Sequence, residues 1–197
     1  MSAEQRPSLA DLEGEARRRG LLLRLRVRRP VGLSWNLRVA VARRPPTQDP
    51  AGASQDSAGV LQLLGEMRAW ALPTPTGLRL DTMRVQGHDT AAVGALVWAA
   101  TFAWALESTP CQQATLLAIR DGEAQHRRLV RYFRGLGFTP LRDLGGAALD
   151  LPARLIWGGS GLLMRGDCGE GLRRSARRLG LGGRRLGLGG RLMEPTG

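Results

Sequence analysis

The sequence predicts an α/β (α+β) chain built on a mixed, mainly antiparallel sheet with helices on both faces. Two observations carry this expectation. Before residue 90 the apolar residues alternate, or cluster in short runs between turn-rich segments, as in a meander of strands. After it, short apolar runs alternate with longer helical stretches, and a strand-helix-strand-helix-strand order returns each strand to one sheet across its faces. A length of 197 residues, 43% of them hydrophobic, suits one domain with a sizeable core and a tail. We expect a segment with a short helix at 1–20, the body at 21–164, and a disordered Arg/Gly-rich tail at 165–197.

Ser8 to Arg19 reads as a short helix, with Ser8 as N-cap and Gly20 as its stop. In the next run Leu21, Leu23, Leu25 and Val27 alternate with Arg24, Arg26 and Arg28, a strand with one wet face. A second strand is expected from Trp35 to Ala42, then a polar loop from Pro45 to Ser57. Val60 to Leu72 and Leu78 to Gln86 form a hairpin joined at Pro73-Thr74-Pro75-Thr76-Gly77. In its second strand Leu78 and Leu80 are even while Met83 and Val85 are odd. Either a β-bulge near Asp81-Thr82 brings both pairs to one face, or the strand is buried on both. A helix from Thr90 follows, then a strand Ala114 to Arg120, a helix from Gly122 or Glu123 to Gly135, and a strand Phe138 to Leu144.

Charge and cysteine usage narrow the classes. All 29 basic residues are Arg, against 17 acidic ones, for a formal charge of +12. Arg forks onto phosphate, but the absence of Lys also fits a composition that favours Ala, Gly and Arg together. Cys111 and Cys168 have neither CxxC spacing nor neighbouring His, so no metal site and no disulfide framework is expected. The N-terminus lacks an apolar run, and a cytoplasmic location is expected. Arg165-Gly166-Asp167 is an adhesion tripeptide without export, hence a chance match. Thr90 to Leu106 is uncharged for 17 residues; rich in Ala and without basic flanks, it reads as a buried helix and not a membrane span.

Leu129, Phe133 and Leu136 recur at intervals of four and three, which sets Phe133 on the apolar stripe of its helix. Tyr132, the only tyrosine, shares a face with Arg128 and Leu136. That is a boundary position, where the ring packs and the hydroxyl reaches water or a strand end.

From Trp35 to about Met164 the order of elements resembles the GNAT superfamily of acyl-CoA N-acyltransferases, and more narrowly its small GNAT-like members from cyanobacteria and plastids. The most specific match is QHRRLVRYFRGLGF, Gln125 to Phe138: the family's fourth helix commonly ends in a Tyr followed, four residues on, by Gly-Phe, as Gly137-Phe138 stand here. The resemblance implies acetyl-CoA as acyl donor and an amine of unknown identity as acceptor. It implies that the strand Leu78 to Gln86, through Met83 and Val85, lends backbone groups to pantetheine, and that a splayed gap before Ala114 to Arg120 admits the cofactor. The turn Gln86-Gly87-His88-Asp89-Thr90-Ala91 would cradle the pyrophosphate, and the Tyr would protonate the departing thiolate.

Departures accompany the match. Asp89 stands where the family has the Gly of its pyrophosphate turn, and its carboxylate either repels that anion or caps the helix. Four residues before Gly137 comes Phe133, so Tyr132 sits one place early, about 100° round the helix. Either Tyr132 reaches the thiolate by an adjusted register, or Phe133 fills the slot. His126 stands about where the family has an Asn. Glu66 and Asp81 are the carboxylates available as a base acting through water. Only Arg29 to Ser34 separates the first two strands, where the family's acceptor helices would lie. A protein that keeps this fold without turnover, as a binding or regulatory module, is the alternative.

The C-terminus repeats RRLGLGG at Arg177 to Gly183 and at Arg184 to Gly190. With Gly at three positions in seven, a stable helix is not expected there. Seven Arg and one Glu from Leu172 onward give the tail +6, leaving 12 − 6 = +6 for the body. Such a tail is suited to weak contacts with nucleic acid or anionic lipid, or it is a solvated product of replication slippage.

Overall fold

The structure, a computed structural model, describes residues 6–44, 61–87 and 90–181. Ser8 opens α1 (Leu9–Arg18) with a capping box: its hydroxyl accepts from the Asp11 N–H at 3.2 Å, and the Asp11 carboxylate accepts from the Ser8 N–H at 2.8 Å. The strands β1 (Leu21–Arg28), β2 (Trp35–Arg43), β3 (Gln62–Ala71) and β4 (Leu78–Val85) follow as an antiparallel meander. Then come α2 (Thr90–Ser108), β5 (Gln113–Ile119), α3 (Glu123–Gly135), β6 (Thr139–Leu144), α4 (Leu151–Trp157), β7 (Gly161–Asp167) and α5 (Cys168–Arg178). One seven-stranded sheet runs β1-β2-β3-β4-β5-β7-β6, and its single parallel contact is β4 with β5.

Of the two readings of the Leu78 to Gln86 strand, the structure shows the bulge. Arg68 pairs with Thr82 and Ala69 with Leu80, so Asp81 is the extra residue, and Leu78, Leu80, Met83 and Val85 all turn to one face. That face is the α2 face, because a Cβ on Gly65, in register with Val41 and Val85, would meet the Val93 and Val97 side chains. From Ala92 to Ala105 every residue of α2 is buried, by the sheet and by α1 and α5. The helix is long and apolar enough to cross a membrane, and here its apolar circumference is the centre of the core. Helices do lie on both faces, but unevenly. On the opposite face Trp157 of α4 reaches Arg79, while Arg24, Arg26, Arg28, Arg38 and Arg68 lie open to solvent.

The C-terminal boundary needs correction. An end of the body at Met164 falls inside β7, which is inserted between β5 and β6, and residues 165–181 belong to the core instead of a tail. Asp167 caps α5 by accepting from the Glu170 N–H at 2.8 Å, and Glu170 pairs with Arg173 and Arg174. Within α5, Gly171 has no Cβ because one would stand 2.6 Å from the Phe102 ring. The first RRLGLGG copy ends this helix: Arg177 and Arg178 form its last turn, and the Gly180 and Leu181 N–H groups bond back to Arg177 and Ala176. The later copies lie outside the described residues. β7 and α4 were not expected from sequence.

Cys111 and Cys168 are fully buried. Burial, with the Asp167 charge, pushes the Cys168 thiol far above the ordinary range. Neither thiol is therefore expected to react with Ellman's reagent in the native protein, and both should react in denaturant. Rapid titration of either without denaturant would contradict the packing of α5.

Candidate functional site

The sheet divides at its parallel contact. The β4–β5 ladder pairs Leu78 with Ala114, Arg79 with Thr115 and Leu80 with Leu116, and then stops. Yet β4 continues to Val85, still paired to β3, and β5 continues to Ile119, still paired to β7. The bulge at Asp81 bends β4 at this point. The β5-facing edge of β4 from Asp81 to Val85 therefore takes no ladder bonds from β5, leaving backbone groups available to a ligand laid along the gap.

Side chains from three elements close the gap on the α2 face. A Cβ on Gly94 of α2 would stand 3.6 Å from Met83 Cε, 3.9 Å from Val85 Cγ2 and 3.9 Å from Tyr132 Oη. The Tyr132 hydroxyl on α3, the helix after β5, and the Met83 and Val85 side chains of β4 thus all border Gly94. Behind the hydroxyl lies Trp98, 1% exposed, whose indole Nε1–H donates to Tyr132 Oη at 2.7 Å. An indole N–H can only donate, so the tyrosine oxygen is the acceptor and its own proton is left for another partner. Trp98 stacks on Phe102 at 5.6 Å and meets Phe133 and Phe138 at 6.2 and 6.0 Å, an aromatic wall behind the hydroxyl.

Electrostatics keep that hydroxyl protonated. Burial raises the Tyr132 pKa above that of ordinary phenol, against the Trp98 bond and the Arg178 charge, which lower it. The Arg178 guanidinium stands 5.9 Å over the Tyr132 ring, and its Nη2 donates to the Gly135 carbonyl at the end of α3.

Tyr132 is 39% exposed, the boundary position its helix phase implies, and its hydroxyl accepts a bond from Trp98, a partner the helix phase did not name. Phe133 is half-buried within the aromatic cluster. Gly137 takes φ +98°, and the Phe138 N–H bonds to the Phe133 carbonyl, so the Gly-Phe pair is the turn that ends α3 and drives Phe138 into the core. His126 is buried, its Nδ1 3.2 Å from the Ile119 carbonyl.

Other residues separate from this group. Glu66 and Asp81 point to the open sheet face, opposite to Met83 and Val85. The Arg68 bond to Glu66, opposed by partial burial and reinforced by Arg38, holds that carboxyl below the ordinary Glu range, which weakens it as a base. Gln86 is engaged at the end of β3, where its N–H donates to Leu64 O at 2.8 Å and its Nε2 to Leu63 O at 2.7 Å. Gly87 has φ +97°, and Thr90 and Ala91 are the exposed first residues of α2. His88 and Asp89 lie outside the described residues.

Sequence reasoning missed Gly94 and Trp98 as site residues. A glycine inside a long apolar helix was the available signal for Gly94, since a glycine at such a position usually has a packing or functional reason. The chain matches no protein-family model and no curated protein.

Proposed function

We propose that the chain is a GNAT-type N-acyltransferase that moves an acetyl group from acetyl-CoA to an amine. One observation carries the reading: the β4–β5 ladder ends at Leu80/Leu116 while both strands continue, beside a tyrosine hydroxyl with an uncommitted proton. The resemblance of Trp35 to Met164 to that superfamily implies a splayed gap between these same two strands. In this reading acetyl-CoA supplies the activated thioester. The free edge of β4 at Met83 and Val85 holds the pantetheine amides, the aromatic wall excludes water, and Tyr132 Oη holds the proton that the leaving thiolate requires.

The experiment is calorimetric titration of the purified full chain with acetyl-CoA. Saturable binding in the micromolar range is expected. Gly94→Val, which fills the space between Met83, Val85 and Tyr132, should weaken binding about tenfold or more while the protein stays folded. No heat at millimolar ligand, or full affinity in the valine variant, would remove the cleft reading.

A second reading, a binding module without turnover, is favoured by the placement of Glu66 and Asp81 on the face opposite Met83 and Val85, and by the two guanidiniums on Glu66. Acetyl-CoA binding without release of free thiol in the presence of amines would select it.

A further inference from the structure

The open face of β1–β4 carries a device that the acyl-CoA reading does not use. Its residues are those that alternate with the core: Arg24, Arg26 and Arg28 of β1, and their cross-strand neighbours. Arg26 pairs directly with Arg38, and Arg38 with Arg68, so three guanidiniums stand in one row across adjacent strands. Like charges directly opposite each other destabilise a sheet. One carboxylate answers them: Glu66 accepts from Arg38 Nε at 2.9 Å and from Arg68 Nε at 3.0 Å. Arg24, Arg26 and Arg28 are exposed and make no ion pair among the described residues; nor does Arg84 on β4. A concavity of about 490 Å³ lies along the row, lined by Arg26, Arg28, Arg38 and Arg68 with Asn36, Trp70 and Asp81. At one end Arg79 is held between the Trp70 and Trp157 rings, 4.6 and 5.3 Å from their centroids.

We propose that this sheet face binds single-stranded nucleic acid. The charge is extended and not focused: guanidiniums run from the β1 edge to Arg84 on β4, with only Arg38 and Arg68, among the described residues, sharing the single carboxylate of Glu66, which suits a linear polyanion better than a compact phosphate. Arginine forks match phosphate oxygens in pairs, and Trp70, which lines the concavity, supplies an aromatic ring for a base to stack on. Four strands at about 4.8 Å spacing span roughly 14 Å, too broad to enter the ~12 Å major groove of a duplex, so a single strand is the fitting form. This differs from a contact through the C-terminal repeats, because the residues involved are set by β-register. It is also independent of the gap between β4 and β5, which opens on Met83 and Val85 on the other face.

The test uses the full chain and a fluorescently labelled mixed-sequence 12-nucleotide RNA, read by anisotropy over a range of salt. Wild type is expected to bind, with affinity falling as salt rises. Replacing Arg24, Arg26 and Arg28 together by Ser should weaken binding at least tenfold and reduce the salt slope by about 2, three phosphate contacts at ~0.7 each for a single strand. These side chains are exposed, so the variant should keep the wild-type melting temperature and acetyl-CoA titration. A companion variant with Arg184, Arg185 and Arg191 replaced by Ser should retain most of the affinity. The proposal is overturned by absence of RNA binding, by affinity lost with the C-terminal arginines and kept without those of β1, by equal or tighter binding of a duplex of the same length, or by binding to phosphatidylserine vesicles in place of RNA.

Discussion

A chain ended after Asp167 is expected not to fold cooperatively. The lost helix α5 places Cys168, Leu172 and Ala176 in the core, with Leu179 behind them, and its backbone at Gly171 lies against the Phe102 ring. α2 has no polar side to turn outward: its residues from 92 to 105 are buried all round. Removing α5 takes away two buried leucines, worth about 1.5–3 kcal/mol each. It also bares Phe102 and the α2 surface beside it, which adds a further loss of similar size. Against a typical total stability of about 5–15 kcal/mol, little remains. Thermal or urea unfolding followed by circular dichroism measures this. A sharp transition within a few degrees of the full chain would mean that α5 is peripheral and that the packing described here is wrong.

The second large effect concerns Tyr132→Phe. In an acetyl-transfer assay turnover should fall by about 10² or more, the range general acid catalysis supplies, with acetyl-CoA affinity retained. This is a larger loss than a purely boundary tyrosine implies, and the reason is the Trp98 bond, which directs the hydroxyl into the gap with its proton uncommitted. The substitution also leaves the Trp98 indole N–H buried without its acceptor, a penalty of about 1–3 kcal/mol, so melting should drop even if turnover does not. Trp98→Phe separates the two roles. It keeps the hydroxyl but removes the bond that stabilises the phenolate, so the Tyr132 pKa rises further, and the alkaline limb of the rate profile should move to higher pH. A less than tenfold loss in Tyr132→Phe, or an unmoved alkaline limb in Trp98→Phe, would return Tyr132 to a packing role.

Local chemistry was legible wherever a residue's neighbours in sequence were also its partners. Ser8 caps the first helix as expected, and Asp11, three residues on, completes a capping box. The alternation in β1 reports its strand faces directly, and the even-to-odd change from Leu80 to Met83 marked where a bulge near Asp81-Thr82 or burial on both faces had to lie, which the register settled as a bulge. Glu66 and Asp81, available as bases by residue type, proved to lie on the face opposite Met83 and Val85, which register alone decided. Asp89, on which the pyrophosphate turn depended, lies outside the described residues.

Contacts between residues far apart were decided only by the tertiary structure. CGEGLRRSARR has two glycines and few apolar side chains, so its own propensity argues against a helix. It forms one because small residues let its backbone close on Phe102, from an element more than sixty positions earlier, and burial there outweighs the entropy of two glycines. β7 acquires its place by insertion between β5 and β6, a pairing that no periodicity encodes. The bond from Trp98 to Tyr132 spans 34 positions, so helix phase could place the tyrosine at a boundary without naming what its hydroxyl would meet. By itself the sequence determined which residues of β1 face the core and where α1 and α3 begin and end, because those follow from φ/ψ preference and side-chain period. Which faces meet, where the sheet divides, and which hydroxyl stands at the division follow from packing, and packing depends on atoms brought together only when the chain has folded.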